Sequence, residues 1–277
     1  MKSIANIAAI QMCSSHLVDD NLKMAAHFIA EAAHNKTQLV VLPEMFAIMG
    51  KNPADKIAVK EIYGAGKIQD FLSAQAKMHH IWIVGGTIPI ACDNKNKVRA
   101  ASIVYDNHGK SVARYDKIHL FDVTLSETES YRESDTTEPG SDIVVVDTPF
   151  GKLGLSVCYD IRFAGLYTEL LNQGAEIISI PAAFTVKTGE AHWQVLARSR
   201  AIENLCYIVG AAQVGTHADG RQTFGHSLIV EPWGTIVQEI SEPMPGIVYA
   251  NIDLQKVHGN RTTIPVIQHR RIKNSTI

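Results

Sequence analysis

Two periods of apolar residues take turns along the chain. Residues 4–10 form a largely apolar run of the kind a buried strand makes. Over residues 19–34, by contrast, Leu22, Ala25, Ala26, Ile29 and Ala33 fall on one helical stripe behind the N-cap candidates Asp19 and Asp20. Residues 38–42 predict a short buried strand that stops at Pro43-Glu44, residues 66–79 a second helix and residues 81–84 the next strand. Residues 101–106 and 111–118 flank Asn107-His108-Gly109-Lys110, a turn signal that predicts a hairpin. Strands over 143–148 and 152–157 follow, then a helix over 162–173 closed by Gly174. A strand over 177–180, a helix over 190–205 and strand-like runs at 207–214, 226–231 and 235–240 complete the reading. Such alternation with added hairpins predicts an α/β fold of stacked layers. No linker rich in Gly, Ser or Pro divides it, so one domain is expected over 1–277. Val41-Leu42-Pro43-Glu44 and Ser179-Ile180-Pro181-Ala182 both close buried strands with proline, a faint echo such as two similar halves would leave.

One segment breaks the pattern. Residues 121–142 are polar and without periodicity, and a loop this long inside a compact domain is either functional or a mobile surface excursion. Composition narrows the remaining choices. At 46% hydrophobic and a net charge of −2, the 277 residues suit a soluble protein and give no reason to expect nucleic acid or an anionic membrane as partner. The apolar stretches are too short to span a bilayer, and the first residues read as a strand, not a signal peptide. Cys13, Cys92, Cys158 and Cys206 are widely spaced, which suits free thiols in the cytoplasm and at most one functional cysteine.

Cys158 stands out by position. In Gly154-Leu155-Ser156-Val157-Cys158-Tyr159-Asp160-Ile161-Arg162-Phe163 it is the last side chain of a buried strand before the chain turns polar. Ligands collect at the carboxyl ends of strands in open α/β sheets, and a helix starting just beyond would favour the thiolate. Glu44 closes another buried strand and is a general-base candidate. Lys117, in Tyr115-Asp116-Lys117-Ile118-His119-Leu120, sits at the close of another strand, just before the polar loop, and could hold an oxyanion. Each has an ordinary alternative: a small buried hydrophobe for Cys158, a strand-exit cap for Glu44, an edge lysine or partner of Asp116 for Lys117. Spacing does not decide whether the three converge. Other motifs fail: Ser156 precedes the turn that a nucleophile elbow needs, no HExxH or CxxC occurs, and Gly64-Ala65-Gly66-Lys67-Ile68 lacks the P-loop's first glycine and its Ser/Thr.

Leu42-Pro43-Glu44, the run from Tyr115 to Asp122 and the run from Gly154 to Phe163 resemble, in order, the motifs of the carbon–nitrogen hydrolase (nitrilase) superfamily. The resemblance implies a four-layer α-β-β-α sandwich, a Glu44–Lys117–Cys158 catalytic set, and no metal or cofactor. It also implies a second glutamate, Glu133 in Tyr131-Arg132-Glu133-Ser134, an oxyanion donor at the Tyr159 backbone N–H, and a homodimer formed through α faces. Ala164-Gly165 departs from the family's usual Pro-Glu at the expected helix start. Thr188-Gly189-Glu190-Ala191-His192-Trp193, the Ala211 to His217 run, Pro232-Trp233-Gly234-Thr235 and Gln268-His269-Arg270-Arg271 are similar to the Nit-type branch. There the deaminated glutathione amidases resemble this chain more than the sister ω-amidases do. The expected reaction is hydrolysis of a small carboxylated amide through a cysteine thioester. The rivals are ω-amidase action on 2-oxoglutaramate or 2-oxosuccinamate and a silent binding scaffold, against which the intact Glu/Lys/Cys set argues. A carboxylated substrate needs cations, and Arg162 is the first candidate, with an internal pair to Asp160 or a neighbouring carboxylate as the alternative. Phe184, Thr185 and His192 are candidate pocket residues, with exposed or capping roles equally open.

Overall fold

The computed structural model describes residues 4–127 and 129–272. The first half of the chain runs β1 (Ile4–Gln11), α1 (Val18–His34), β2 (Leu39–Val41), a short α2 (Asp55–Ala58), α3 (Lys67–His79) and β3 (Trp82–Val84). Then come β4 (Ile88–Ala91) and the expected hairpin, β5 (Val98–Tyr105) with β6 (Ser111–Asp116). The polar segment is not structureless: β7 (Asp122–Thr124) pairs with β8 (Ser130–Arg132), and a 3-10 turn over Glu133–Asp135 follows. The second half runs β9 (Val145–Thr148), β10 (Gly151–Leu155), α4 (Ala164–Asn172), β11 (Ile177–Ala182), α5 (Val186–Asn204) and β12 (Tyr207–Ala212). It closes with β13 (Val214–Thr216), β14 (Gln222–Phe224), β15 (Leu228–Val230), β16 (Ile236–Glu239), β17 (Gly246–Asp253), α6 (Leu254–Thr263) and a short α7 (Val266–His269).

Among the described residues one sheet has seven strands, in the order β17-β1-β2-β3-β5-β4 with β6 on the other edge of β5, and a second has six, β16-β15-β12-β11-β10-β9. Each contains three adjacent parallel strands joined through helices, β1-β2-β3 and β10-β11-β12, flanked by antiparallel neighbours. The two proline-closed strands, β2 and β11, are the middle strands of these triplets.

The strand period of two sorts side chains into layers. From β1 and β2, Ile7, Ala9, Leu39 and Val41 join Leu153, Leu155, Ile178 and Ile180 in one core. Their alternate neighbours Ala8, Ile10 and Val40 pack on Leu22, Ala25 and Ile29 of α1 and Ile68, Leu72 and Ala76 of α3. Both faces of these strands are therefore buried, which is why they read as unbroken apolar runs. The result is an α-β-β-α sandwich. Its two sheets are stitched at the tips of β1 and β12, where Met12 N–H donates to the Ala212 carbonyl at 3.2 Å and Val214 N–H to Met12 at 2.8 Å.

Several elements differ from expectation. Asp19 and Asp20 lie inside the first turn of α1, where they complement its dipole without capping it, and Ala32, not Ala33, completes the buried stripe. No α-helix begins at Arg162: a 3-10 turn covers Cys158–Arg162, and α4 starts only at Ala164. Helix α5 begins at Val186, four residues before the expected start at 190. The run 207–214 is two strands, because β12 ends at Ala212 and β13 turns away to pair with β14. β17 was not expected at all, although Val248, Ala250 and Ile252 alternate inward along it.

Candidate active site

The carboxyl ends of the two parallel triplets open on a common cavity of about 220 Å³. Glu44, Lys117, Cys158 and Glu133 all line it. Glu44 is carried just beyond β2, where the left-handed Met45 (φ 56°) turns the chain. Its setting demands a glycine opposite: a Cβ on Gly86 would stand 2.0 Å from the Pro43 carbonyl oxygen. Gln213 fixes the same turn from the other sheet, its Nε2 donating to the Glu44 carbonyl at 2.9 Å.

Cys158 itself occupies the left-handed region (φ 45°), a conformation that a non-glycine residue holds only where its surroundings impose it. Asp160, fully buried, supplies that constraint. Its carboxylate accepts from Val157 N–H at 2.8 Å, the Tyr115 hydroxyl at 2.7 Å and His119 N–H at 3.1 Å, and lies 2.7 Å from His119 Nδ1. One carboxylate thus ties the Cys158 turn to the segment that carries Lys117. Arg200 braces the turn from α5, donating to the Ile161 carbonyl at 2.8 Å while pairing with Glu203 at 2.6 Å.

The charges form a chain. Lys117, 2% exposed, donates to Glu44 at 2.7 Å and to Glu133 at 2.8 Å, and Glu133 also accepts from Phe121 N–H at 2.7 Å. Asp116, the alternative partner for Lys117, is instead engaged by Arg114 at 2.8 Å. Burial pulls the Lys117 ammonium down, but Glu133 and Glu44 outweigh it and hold the pKa well above the lysine range. Burial raises Glu133, and Lys117 with Lys56 overcomes that and keeps the carboxylate below its ordinary value. The thiol of Cys158 behaves oppositely. Burial and the Glu44 carboxylate push its pKa well above the usual cysteine value, and Lys117 and the Ala183 N–H, 3.5 Å from Sγ, offset only part. The α-helix expected to begin just past the cysteine is not there: Cys158 opens a 3-10 turn, and α4 starts six residues on, at Ala164. A thiol held this high keeps its proton more firmly than a free cysteine does, and the Glu44 carboxylate stands beside it as an acceptor for that proton.

Of the substrate candidates, Arg162 and Phe184 line the cavity, and Tyr159 does as well. Arg162 does not pair with Asp160; it lies 3.2 Å from His192 Nδ1 and over the rings of Phe184 and Tyr159, at 5.6 and 5.9 Å. Thr185 and His192 do not line the cavity. Thr185 precedes α5 and its hydroxyl is 2.9 Å from that of Thr188, which does reach the cavity, while His192 is exposed on α5 behind Arg162. Both corrections follow from the earlier start of α5, which moves these residues into the cap and body of the helix. Sequence reasoning missed Lys56, Tyr131 and Arg221, which also border the cavity. They come from α2, β8 and the β13–β14 turn, short elements with no periodicity to announce them.

This fold and cavity define a class. The model of the carbon-nitrogen hydrolase family matches residues 6–261, and the chain belongs to that family. The structure superposes on the C. elegans NitFhit protein with a TM-score of 0.91 and 36% identity over 97% of this chain, although it covers 65% of that longer chain. It matches Saccharomyces cerevisiae Nit3, a member of branch 10 of the nitrilase superfamily, with a TM-score of 0.87 and 33% identity, covering 98% and 97% of the two chains. Among sequences it is similar to the deaminated glutathione amidase of Yersinia enterocolitica, 41% identical over 275 residues that cover 99% of this chain and 95% of the relative.

Proposed function

We propose that the protein is an amidase that opens the carbon–nitrogen bond of a small carboxylated amide, deaminated glutathione, to give 2-oxoglutarate and Cys-Gly. The observation that carries this reading is the meeting of Glu44, Lys117 and Cys158 in one buried cavity. The substrate assignment rests on the similarity to amidases of that name.

In this reading Glu44 takes the thiol proton as Cys158 attacks the amide carbonyl. The charge that develops on the carbonyl oxygen is met by the Lys117 ammonium and the Tyr159 backbone N–H. Glu44 returns the proton to the departing amine, and the acyl group remains as a thioester. A water activated by the same carboxylate then attacks the thioester, releasing the acid and restoring the thiol. A high thiol pKa serves this cycle, since the proton stays on sulfur until a carbonyl is in place. Glu133 works through Lys117: it holds the ammonium and fixes its direction, and it accepts from Phe121 so that the 121–142 segment closes that side of the cavity. Arg162 receives a substrate carboxylate, with Phe184 beneath its guanidinium.

The reading extends to a single domain over 1–277 that works in the cytoplasm as a homodimer. Four free cysteines suit a reducing compartment, and no helix among the described residues is long and apolar enough to cross a membrane. Val195 and Ile202 stand exposed on the outer side of α5 at 63% and 46%, with Trp233 also exposed at 57%, a surface suited to an α-face dimer. The deciding assay follows Cys-Gly release from deaminated glutathione and ammonia release from 2-oxoglutaramate by the purified protein. A parent that turns over neither, or a Cys158→Ala variant as active as the parent, sinks the proposal.

A further inference from the structure

The charges lining the cavity do not cancel. Lys56, Lys117, Arg132, Arg162 and Arg221 stand against Glu44, Glu133 and Asp219, a balance of five against three. Once Glu44, Lys117 and Glu133 are set aside as one bonded group, and Arg162 as the group that receives a substrate carboxylate, Lys56, Arg132 and Arg221 remain against Asp219, and the mechanism uses none of them. Arg221 is the least satisfied of them. Its Nη2 donates to the Ala183 carbonyl at 2.6 Å and its guanidinium lies 5.0 Å over the Tyr131 ring. Its Nε, however, is buried without a partner among the described residues. The neighbouring Asp219 accepts from the Arg221 backbone N–H at 2.9 Å and forms no ion pair with the guanidinium among the described residues. A buried, unsatisfied guanidinium N–H costs stability that only an acceptor from outside the chain can return.

Arg162 and Arg221 share no partner: the first is engaged by His192, Phe184 and Tyr159, the second by Ala183 and Tyr131. Arg221 instead belongs electrostatically with Lys56, whose ammonium donates to the Thr137 hydroxyl at 2.8 Å and feels the charges of Glu133, Lys117, Glu44 and Arg221. Both line the cavity that holds Glu44, and in the proposed function Glu44 hands its proton to the amine that leaves. We infer that Arg221, backed by the charge of Lys56, receives an anionic group on the departing amine, so that the cavity selects amides carrying a second carboxylate there, a specificity that rests on the amidase reading.

The test compares kcat/KM for deaminated glutathione, with a carboxylate on the leaving amine, and 2-oxoglutaramate, whose leaving group is ammonia. Arg221→Gln is expected to lower the first by about 10- to 100-fold, mainly through KM, and the second by about threefold or less. Capping the glycine carboxylate of the first substrate as its amide should cost the parent a similar factor and cost the variant little more. Arg221→Lys, which keeps the charge but loses the fork, should fall between. Arg221 also steadies Ala183, whose N–H faces the Cys158 sulfur, and loss of that support would lower both substrates alike. Equal losses therefore overturn this inference and leave the amidase intact. A parent that turns over neither amide overturns the amidase reading and this inference with it.

Discussion

The two parallel triplets place a cysteine at nearly the same point and give it different chemistry. Cys13 follows β1, the first parallel strand of one sheet, and Cys158 follows β10, the first of the other. Cys13 is half-buried, and its thiol makes one long contact, 3.9 Å to the Thr216 carbonyl, outside the cavity. Burial alone raises its pKa. Cys158 is buried in a left-handed turn and feels Glu44, Lys117 and the Ala183 N–H as well. The strand tip is thus a position the fold repeats. What turns one copy into a candidate nucleophile comes from outside the repeat: the extension of β6 that brings Lys117, and the 121–142 segment that brings Glu133.

If that difference is functional, removing the sulfur should produce the largest effect in the molecule. Cys158→Ala is expected to reduce amide turnover by at least about 10⁴-fold, since no other group can carry the acyl intermediate. Its Tm should move far less than its rate, and mass spectrometry of a quenched reaction should detect an acyl adduct on the parent only.

Lys117→Met comes next, and here the effect divides between activity and stability. Losing the ammonium leaves Glu44 and Glu133 facing each other in a buried cavity, which costs about 3–5 kcal/mol if both stay ionised. The pH dependence carries the sign. In the parent, the raised Lys117 pKa contributes stability that is lost as pH climbs through its folded value. The lowered Glu133 pKa contributes stability that is lost as pH falls through its folded value. Between about pH 5 and 10 both contributions are in place. In the variant the carboxylates regain stability by taking up protons, so its Tm deficit should shrink as pH is lowered from 8 to 5. A deficit independent of pH would mean that the cluster is not ionised as described.

The layers of the sandwich were legible because both faces of β1, β2, β10 and β11 are covered, and a strand buried on both sides has to be apolar throughout. Glu44 and Cys158 were legible as the residues where such runs stop, and Lys117 as the close of the half-exposed hairpin strand β6. What brings them together was not. Asp160 reads in the sequence as a charge near the cysteine, yet it is fully buried and bound both from its own turn and from the 115–119 run, and nothing local in Cys158-Tyr159-Asp160 says so. The start of α5 was missed because Val186, Thr188 and Gly189 have poor intrinsic helix preference, and tertiary packing of Thr188 and Gly189 overrides it. Lys56 and Arg221 arrive on short turns, where a cation looks like any solvated surface charge.

A smaller effect probes the seam between the halves. Gln213 is fully buried; its Nε2 donates to the Ser14 hydroxyl at 2.8 Å and to the Glu44 carbonyl at 2.9 Å, and its Oε1 accepts from Ser14 N–H at 3.0 Å. Gln213→Leu keeps the bulk and strands those groups, at an expected cost of about 1–3 kcal/mol. Because one of them is the Glu44 carbonyl, kcat should fall along with Tm. A fall in Tm alone would separate the seam from the site.

The smallest effect completes the comparison. Cys13→Ser replaces a thiol that lies outside the cavity holding Cys158 and has one weak contact, and Gly215 lies close enough that a larger side chain would crowd it while serine would not. Stability should change by no more than about 0.5 kcal/mol and kcat/KM by less than about twofold. This near-silence is informative because Cys13 occupies the equivalent strand tip. If Cys13→Ser reduced turnover by orders of magnitude, strand position alone would confer reactivity and the cavity would lose its explanatory role. If only Cys158 responds, the chemistry belongs to the charges that the 117–133 segment brings to one of two similar tips.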